Sequence, residues 1–169
     1  LSNLNKYFNN LFTNYLLSSS IIFCILVLYG FVALLPELGH DALVMHLTIP
    51  AHVSTHHEWS FDFEKYVWAV MPMNGDWLYS LTYMLGGEYA SRLTNLALLI
   101  ILVGFLVCAV RKFASSRMVT LALGIFLCLP LTYLESSSLF IENAWAVFSF
   151  AAIYSFFLYV SGKNKNYLF

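Results

Sequence analysis

The chain has 169 residues, 60% of them hydrophobic, 18% aromatic and only 10% charged, with mean hydropathy +0.75 and a formal net charge of −1. A soluble domain carries about 25% charged residues, so this composition excludes an ordinary water-soluble globule and points to a membrane protein. Nothing in the charge balance argues for nucleic acid as a partner.

Four apolar runs follow along the chain, at about 16–35, 90–110, 118–134 and 144–160. Each approaches the roughly 17 to 25 residues that a helix needs to cross about 30 Å of hydrocarbon. Lys6 precedes the first run, Arg111, Lys112 and Arg117 separate the second and third, and Lys163 and Lys165 follow the fourth. The positive-inside rule places those segments, and so both termini, in the cytoplasm. All nine Asp and Glu residues and all five His residues then fall in the two opposite segments, 36–89 and 135–143. The first run exceeds the usual apolar core of a secretory signal and no A-x-A-like cleavage site follows, so it is expected to stay as an anchor. Cys24, Cys108 and Cys128 all lie in apolar runs and are expected to pack there, with no disulfide or zinc site in the loops. The fold expected is all-α: a polytopic membrane protein with four transmembrane helices and an extracytoplasmic loop bearing one or two interfacial helices. The chain starts at Leu1 and stops soon after a span, as the N-terminal part of a longer protein would.

The loop 36–89 is too long for a simple connection and is expected to be structured. Gly39 followed by Asp41 reads as a break and a helix N-cap, with Leu43, Val44 and Leu47 as an apolar stripe and Pro50 ending that helix or starting another. Trp59, Phe61, Phe63, Tyr66 and Trp68 suit a headgroup layer. Pro72, Asn74 and Gly75 are turn formers. A short helix from Trp77 to Leu85 is expected to lead through Gly86 and Gly87 into the second span.

Several of these residues carry two readings. Asp41 stands near the end of the first span, where a carboxylate can act as a base or bind a cation, or can cap a helix. Glu142 opens the fourth span on the same side and is either a functional acid or an N-terminal acid favoured by the helix dipole. His46 is five residues after Asp41, which puts the two on different faces of an α-helix; it would reach a cavity only if the helix begins irregularly. His52 and His56 have zinc-compatible spacing but lack a complete motif, so a solvated face is the simpler reading. Arg92 and Lys65 are external cations that could meet a phosphate or snorkel at the interface.

The stretches Gly39-His40-Asp41-Ala42-Leu43-Val44-Met45-His46-Leu47-Thr48-Ile49-Pro50 and Met71-Pro72-Met73-Asn74-Gly75-Asp76-Trp77-Leu78-Tyr79 resemble the first external loop of the polytopic GT-C glycosyltransferases. The relatives in mind are allied to the protein mannosyltransferases and to the aminoarabinose transferase of lipid A. Glu142-Asn143-Ala144-Trp145-Ala146-Val147-Phe148 is similar to a second feature of that family. The mannosyltransferases carry an Asp-Glu pair where this chain has Asp41-Ala42, and the second acid is usually Asp where this chain has Glu142. The resemblance implies transfer of a sugar from a polyprenyl-phosphate donor to an acceptor outside the cytoplasm, in a bacterial inner membrane. It implies Asp41 as general base or metal-positioning acid and Glu142 as the second catalytic acid; His46, Arg92 and Lys65, from their positions in the chain, are the substrate-binding residues expected beside them. It leaves a divalent metal ion open as cofactor, and activity is expected to need the rest of the protein. The rival readings are a transporter or channel fragment, and a non-catalytic membrane assembly subunit. Against the first, no acid lies within the four apolar runs to carry ions across.

Overall fold

In hydrocarbon a backbone polar group finds no water, so apolar runs coil into helices that pair their own N–H and C=O groups. The computed structural model describes residues 19–67 and 74–162, and every regular element there is a helix. Lys6, Trp68, the Met71-Pro72-Met73 part of the expected turn, Lys163 and Lys165 lie outside the described residues. Helix α1 covers Ser19–Ala33. A π-helical turn, Ala42–Leu47, runs directly into α2, Thr48–His56; then come α3, Asn74–Val110, α4, Ser116–Cys128, α5, Pro130–Ser137, and α6, Glu142–Gly162.

Among the described residues two helices, α3 and α6, are long and apolar enough to cross a membrane, and α4 with α5 makes a third candidate if the pair counts as one bent span. The bend is 63°. Its cause is Pro130, which lacks an N–H to continue the ladder and holds Leu129 in an extended conformation at φ −65°, ψ 133°. The uniform third span expected at 118–134 is therefore broken near its end. Within the described residues α1 is shorter than the run expected at 16–35, so two or three candidate spans stand where four were expected.

Helix α3 is the central element because apolar side chains recur on it at three- and four-residue steps. Leu96, Leu99 and Val103 pack against Tyr29 and Ala33 of α1 and Val119, Leu123 and Leu127 of α4. Leu98 and Leu102 face Ala144 and Val147 of α6, together with Ala42, Tyr79 and Leu139. The helix breaks at Gly86 and Gly87, so its first part departs from the line of the rest. Gly87 has φ 65° and ψ −155°, a region open essentially to glycine alone. Phe23, Leu28 and Phe31 of α1, and Phe148, Ile153 and Phe156 of α6, are exposed, which suits contact with lipid tails. Cys24, Cys108 and Cys128 are unpaired and exposed rather than packed in the interior.

Lipid removes most of the hydrophobic drive between helices, so polar contacts decide much of how they fit. Two buried clusters do this at the end of the molecule where α1 stops and α6 starts. In one, Arg92 of α3 donates through Nε to Ala33 O at 3.1 Å, through Nη1 to Glu37 Oε2 at 3.0 Å, and through Nη2 to Val32 O at 3.0 Å and Ser137 O at 2.7 Å. Glu37 also accepts the backbone N–H groups of Leu38, Gly39 and Leu139, while its own N–H is held by Glu88. In the other, Asn95 Nδ2 donates to Glu135 O and Ser138 O, each at 2.8 Å, and its Oδ1 accepts Asn143 Nδ2 at 3.0 Å. The Tyr79 hydroxyl donates to Phe140 O at 2.6 Å. Together these bonds tie the segment carrying Asp41, the start of α3 and the turn before Glu142 into one body.

Candidate active site

The π-helical turn bonds residue i to residue i+5, so side chains five apart come onto one face, as they would not in an α-helix. Asp41 and His46 thereby line the same cavity, which has a volume of about 620 Å³. Asp76 from the first turn of α3 and Glu142 from the first turn of α6 complete its acidic lining, and Val44, Met45, Ile49, Phe140, Ile141 and Trp145 form apolar walls. Asp41 and Glu142 are thus brought to one cavity from opposite ends of the chain. Pro50, expected to end or start a helix, sits inside α2 as its third residue, in a helical stretch that already runs on from the π-helical turn.

Asp41 makes no side-chain capping bond, in contrast to the helix-cap reading. Its side chain is 70% exposed, and its polar neighbour is His40 Nδ1 at 3.5 Å. His46 is held far more firmly. Its Nδ1 lies 2.7 Å from Asp76 Oδ1, with the two side chains 13% and 6% exposed. A carboxylate only accepts, so His46 Nδ1 carries the proton and donates it to Asp76. The N-terminal position of Asp76 in α3 favours its negative charge through the helix dipole. The edge of His46 also meets the ring of Phe140, with centroids 6.2 Å apart.

Behind Glu142 stands Glu135, one residue past the apolar run 118–134 and outside it. The Glu142 carboxyl lies near enough to act on it. Burial, then the charge of Glu142, push Glu135 up to about 7, with His46 acting in the opposite sense. Glu135 Oε2 is buried and has no hydrogen-bond partner among the described residues. Two carboxyls so placed repel each other when both are ionised and are eased by one shared proton.

The expected substrate-binding cations lie elsewhere. Arg92 is 3% exposed and its guanidinium is turned into the Glu37 cluster, with no part in the cavity lining. Lys65 pairs with Asp62 at 3.1 Å on an exposed turn, apart from both Arg92 and the cavity. His52 donates from Nε2 to Ser60 O at 2.8 Å, and its ring lies 4.4 Å from that of His56. Trp59 stacks on Trp77 at 3.8 Å with the planes 4° apart, and its edge meets Phe61. Among the described residues no three His, Cys, Asp or Glu side chains stand close enough to hold a metal ion by themselves.

Sequence reasoning missed Asp76 and Glu135. Asp76 lies in a run of turn formers and its partner His46 is thirty positions away, so no local spacing marks the pair. Glu135 carried one signal, an acid directly after an apolar run with a second acid seven positions on. No family model, curated protein or solved structure matches the chain.

Proposed function

We propose that the chain is part of a membrane glycosyltransferase that moves a sugar from a polyprenyl-phosphate donor to an acceptor on the extracytoplasmic side. The observation that carries the reading is the convergence of Asp41 and Glu142 on one cavity at the end of the helices. Its volume of about 620 Å³ is within the usual range for small-ligand sites, roughly 300–1,000 Å³. A lipid-linked donor keeps its tail among acyl chains, so its anomeric carbon is presented where such a cavity opens. Beside the cavity, across Trp145, runs an apolar groove of about 540 Å³ lined by Leu78, Ala144 and Phe148 with Asn74, Gly75 and Ser149, suited to a hydrocarbon tail.

The resemblance to GT-C enzymes assigns Asp41 and Glu142 as the working acids. Four spans with both termini in the cytoplasm of a bacterial inner membrane belong to the same proposal, supported by the distribution of Lys and Arg. The test uses the full-length protein in vesicles with a labelled polyprenyl-phosphate sugar. Asp41→Asn and Glu142→Gln should each lower turnover, with expression and folding unchanged. Undiminished transfer by both variants would remove these acids from the reaction.

A further inference from the structure

Of the side chains in the cavity, Asp41 is the one the GT-C resemblance would choose as base, yet it is largely in water and little fixes its position. His46 has the opposite character. It is nearly buried, the π-helical turn aims it into the cavity, and the Asp76 carboxylate fixes one tautomer by accepting the Nδ1 proton at 2.7 Å. That tautomer leaves the lone pair on Nε2, which has no hydrogen-bond partner among the described residues. A base oriented by a second, buried acid is the arrangement that proton abstraction from a hydroxyl calls for.

We propose that His46 is the catalytic base of this cavity and Asp76 its positioning residue, an inference that rests on the transferase reading. The acceptor hydroxyl oxygen forms a bond to the anomeric carbon, and its proton passes to His46 Nε2. The bond from that carbon to the phosphate oxygen breaks, and polyprenyl phosphate leaves with the electron pair, gaining one negative charge as the imidazole gains one positive charge. The imidazolium returns its proton to water as products depart. Asp76 stays ionised throughout and stabilises the imidazolium. Asp41 and Glu142 are then left to hold sugar or acceptor hydroxyls.

The experiment uses the full-length protein in vesicles and two readouts. In the first, His46→Ala should lower kcat by about 10²-fold or more with KM changed only a few-fold, and added imidazole should restore at least a tenfold part of the loss. In the second, which needs no donor, carbethoxylation of individual histidines by diethylpyrocarbonate is followed by mass spectrometry. Asp76→Asn should slow modification of His46 several-fold and leave the exposed His40 and His57 unchanged, because Asn no longer holds the lone pair on Nε2. A wild-type protein that transfers no sugar refutes the transferase reading and, with it, a base for that reaction. An active wild type with a fully active His46→Ala refutes the base alone. Loss of activity without imidazole rescue, together with His46 reactivity unaffected by Asp76→Asn, shows that the pair only stitches the π-helical turn to α3.

Discussion

Replacing Arg92 by Met keeps most of the side-chain volume and removes the charge, which separates a structural arginine from a phosphate ligand. The substitution deletes the four hydrogen bonds of the guanidinium and strands the Glu37 carboxylate, whose side chain is only 1% exposed. Removing one partner of a buried ion pair costs about 3–5 kcal/mol. Glu37 would keep three backbone N–H donors, from Leu38, Gly39 and Leu139, so the lower end applies, about 3 kcal/mol. That corresponds to roughly a 150-fold change in the unfolding equilibrium, since 1.36 kcal/mol is tenfold. The exposed Lys65–Asp62 pair supplies the control: Lys65→Met should cost less than about 1 kcal/mol. Adding Glu37→Gln to Arg92→Met should recover about 1–2 kcal/mol by removing the stranded charge. Reversible unfolding of the full-length protein in mixed micelles, titrated with sodium dodecyl sulfate, measures all four proteins. If Arg92→Met unfolds within 1 kcal/mol of wild type, alongside Lys65→Met, the clamp argument is wrong. An arginine bound to donor phosphate would instead raise KM and leave the unfolding midpoint in place.

Two further outcomes follow from the packing around the cavity. A Cβ on Gly75 would lie 2.6 Å from Ile141 Cγ2 and 2.8 Å from Ile141 Cβ, so Gly75→Ala should push α3 and the turn before α6 apart, at a cost of about 1–3 kcal/mol and with reduced transfer; an unchanged midpoint in the same micelle titration would contradict that contact. Glu135 is raised from 4.5 to about 7, so the fold favours its protonated form. Its contribution to stability is therefore greatest below about pH 4.5, falls as the unfolded chain ionises, and is lost as pH rises through about 7. Glu135→Gln should flatten the stability–pH curve across that window, and equal slopes for variant and wild type would rule out the shared proton.

Local chemistry was enough to read the helical, lipid-compatible class of this chain, because hydropathy and helix periodicity depend on residues within a turn or two of each other. The break of α3 at Gly86 and Gly87 was legible for the same reason: adjacent glycines are punctuation whatever surrounds them. Asp41 and Glu142 could be placed toward one face by counting runs and charges, without any distance between them. The π-helical turn was not legible, since one added residue per turn leaves no mark in composition, yet it is what swings His46 onto the face of Asp41. The partners of buried polar groups were equally hidden. Arg92 reads as a free cation until Glu37, 55 positions away, Ser137, 45 positions away, and the end of α1 close around it. Asp76 reads as a turn residue until the chain returns His46 to it, and Glu135 as a loop acid until α6 sets Glu142 against it. Such pairings depend on how the helices close over one another, and each buried charge takes the partner that closure supplies because leaving it without one is too unfavourable.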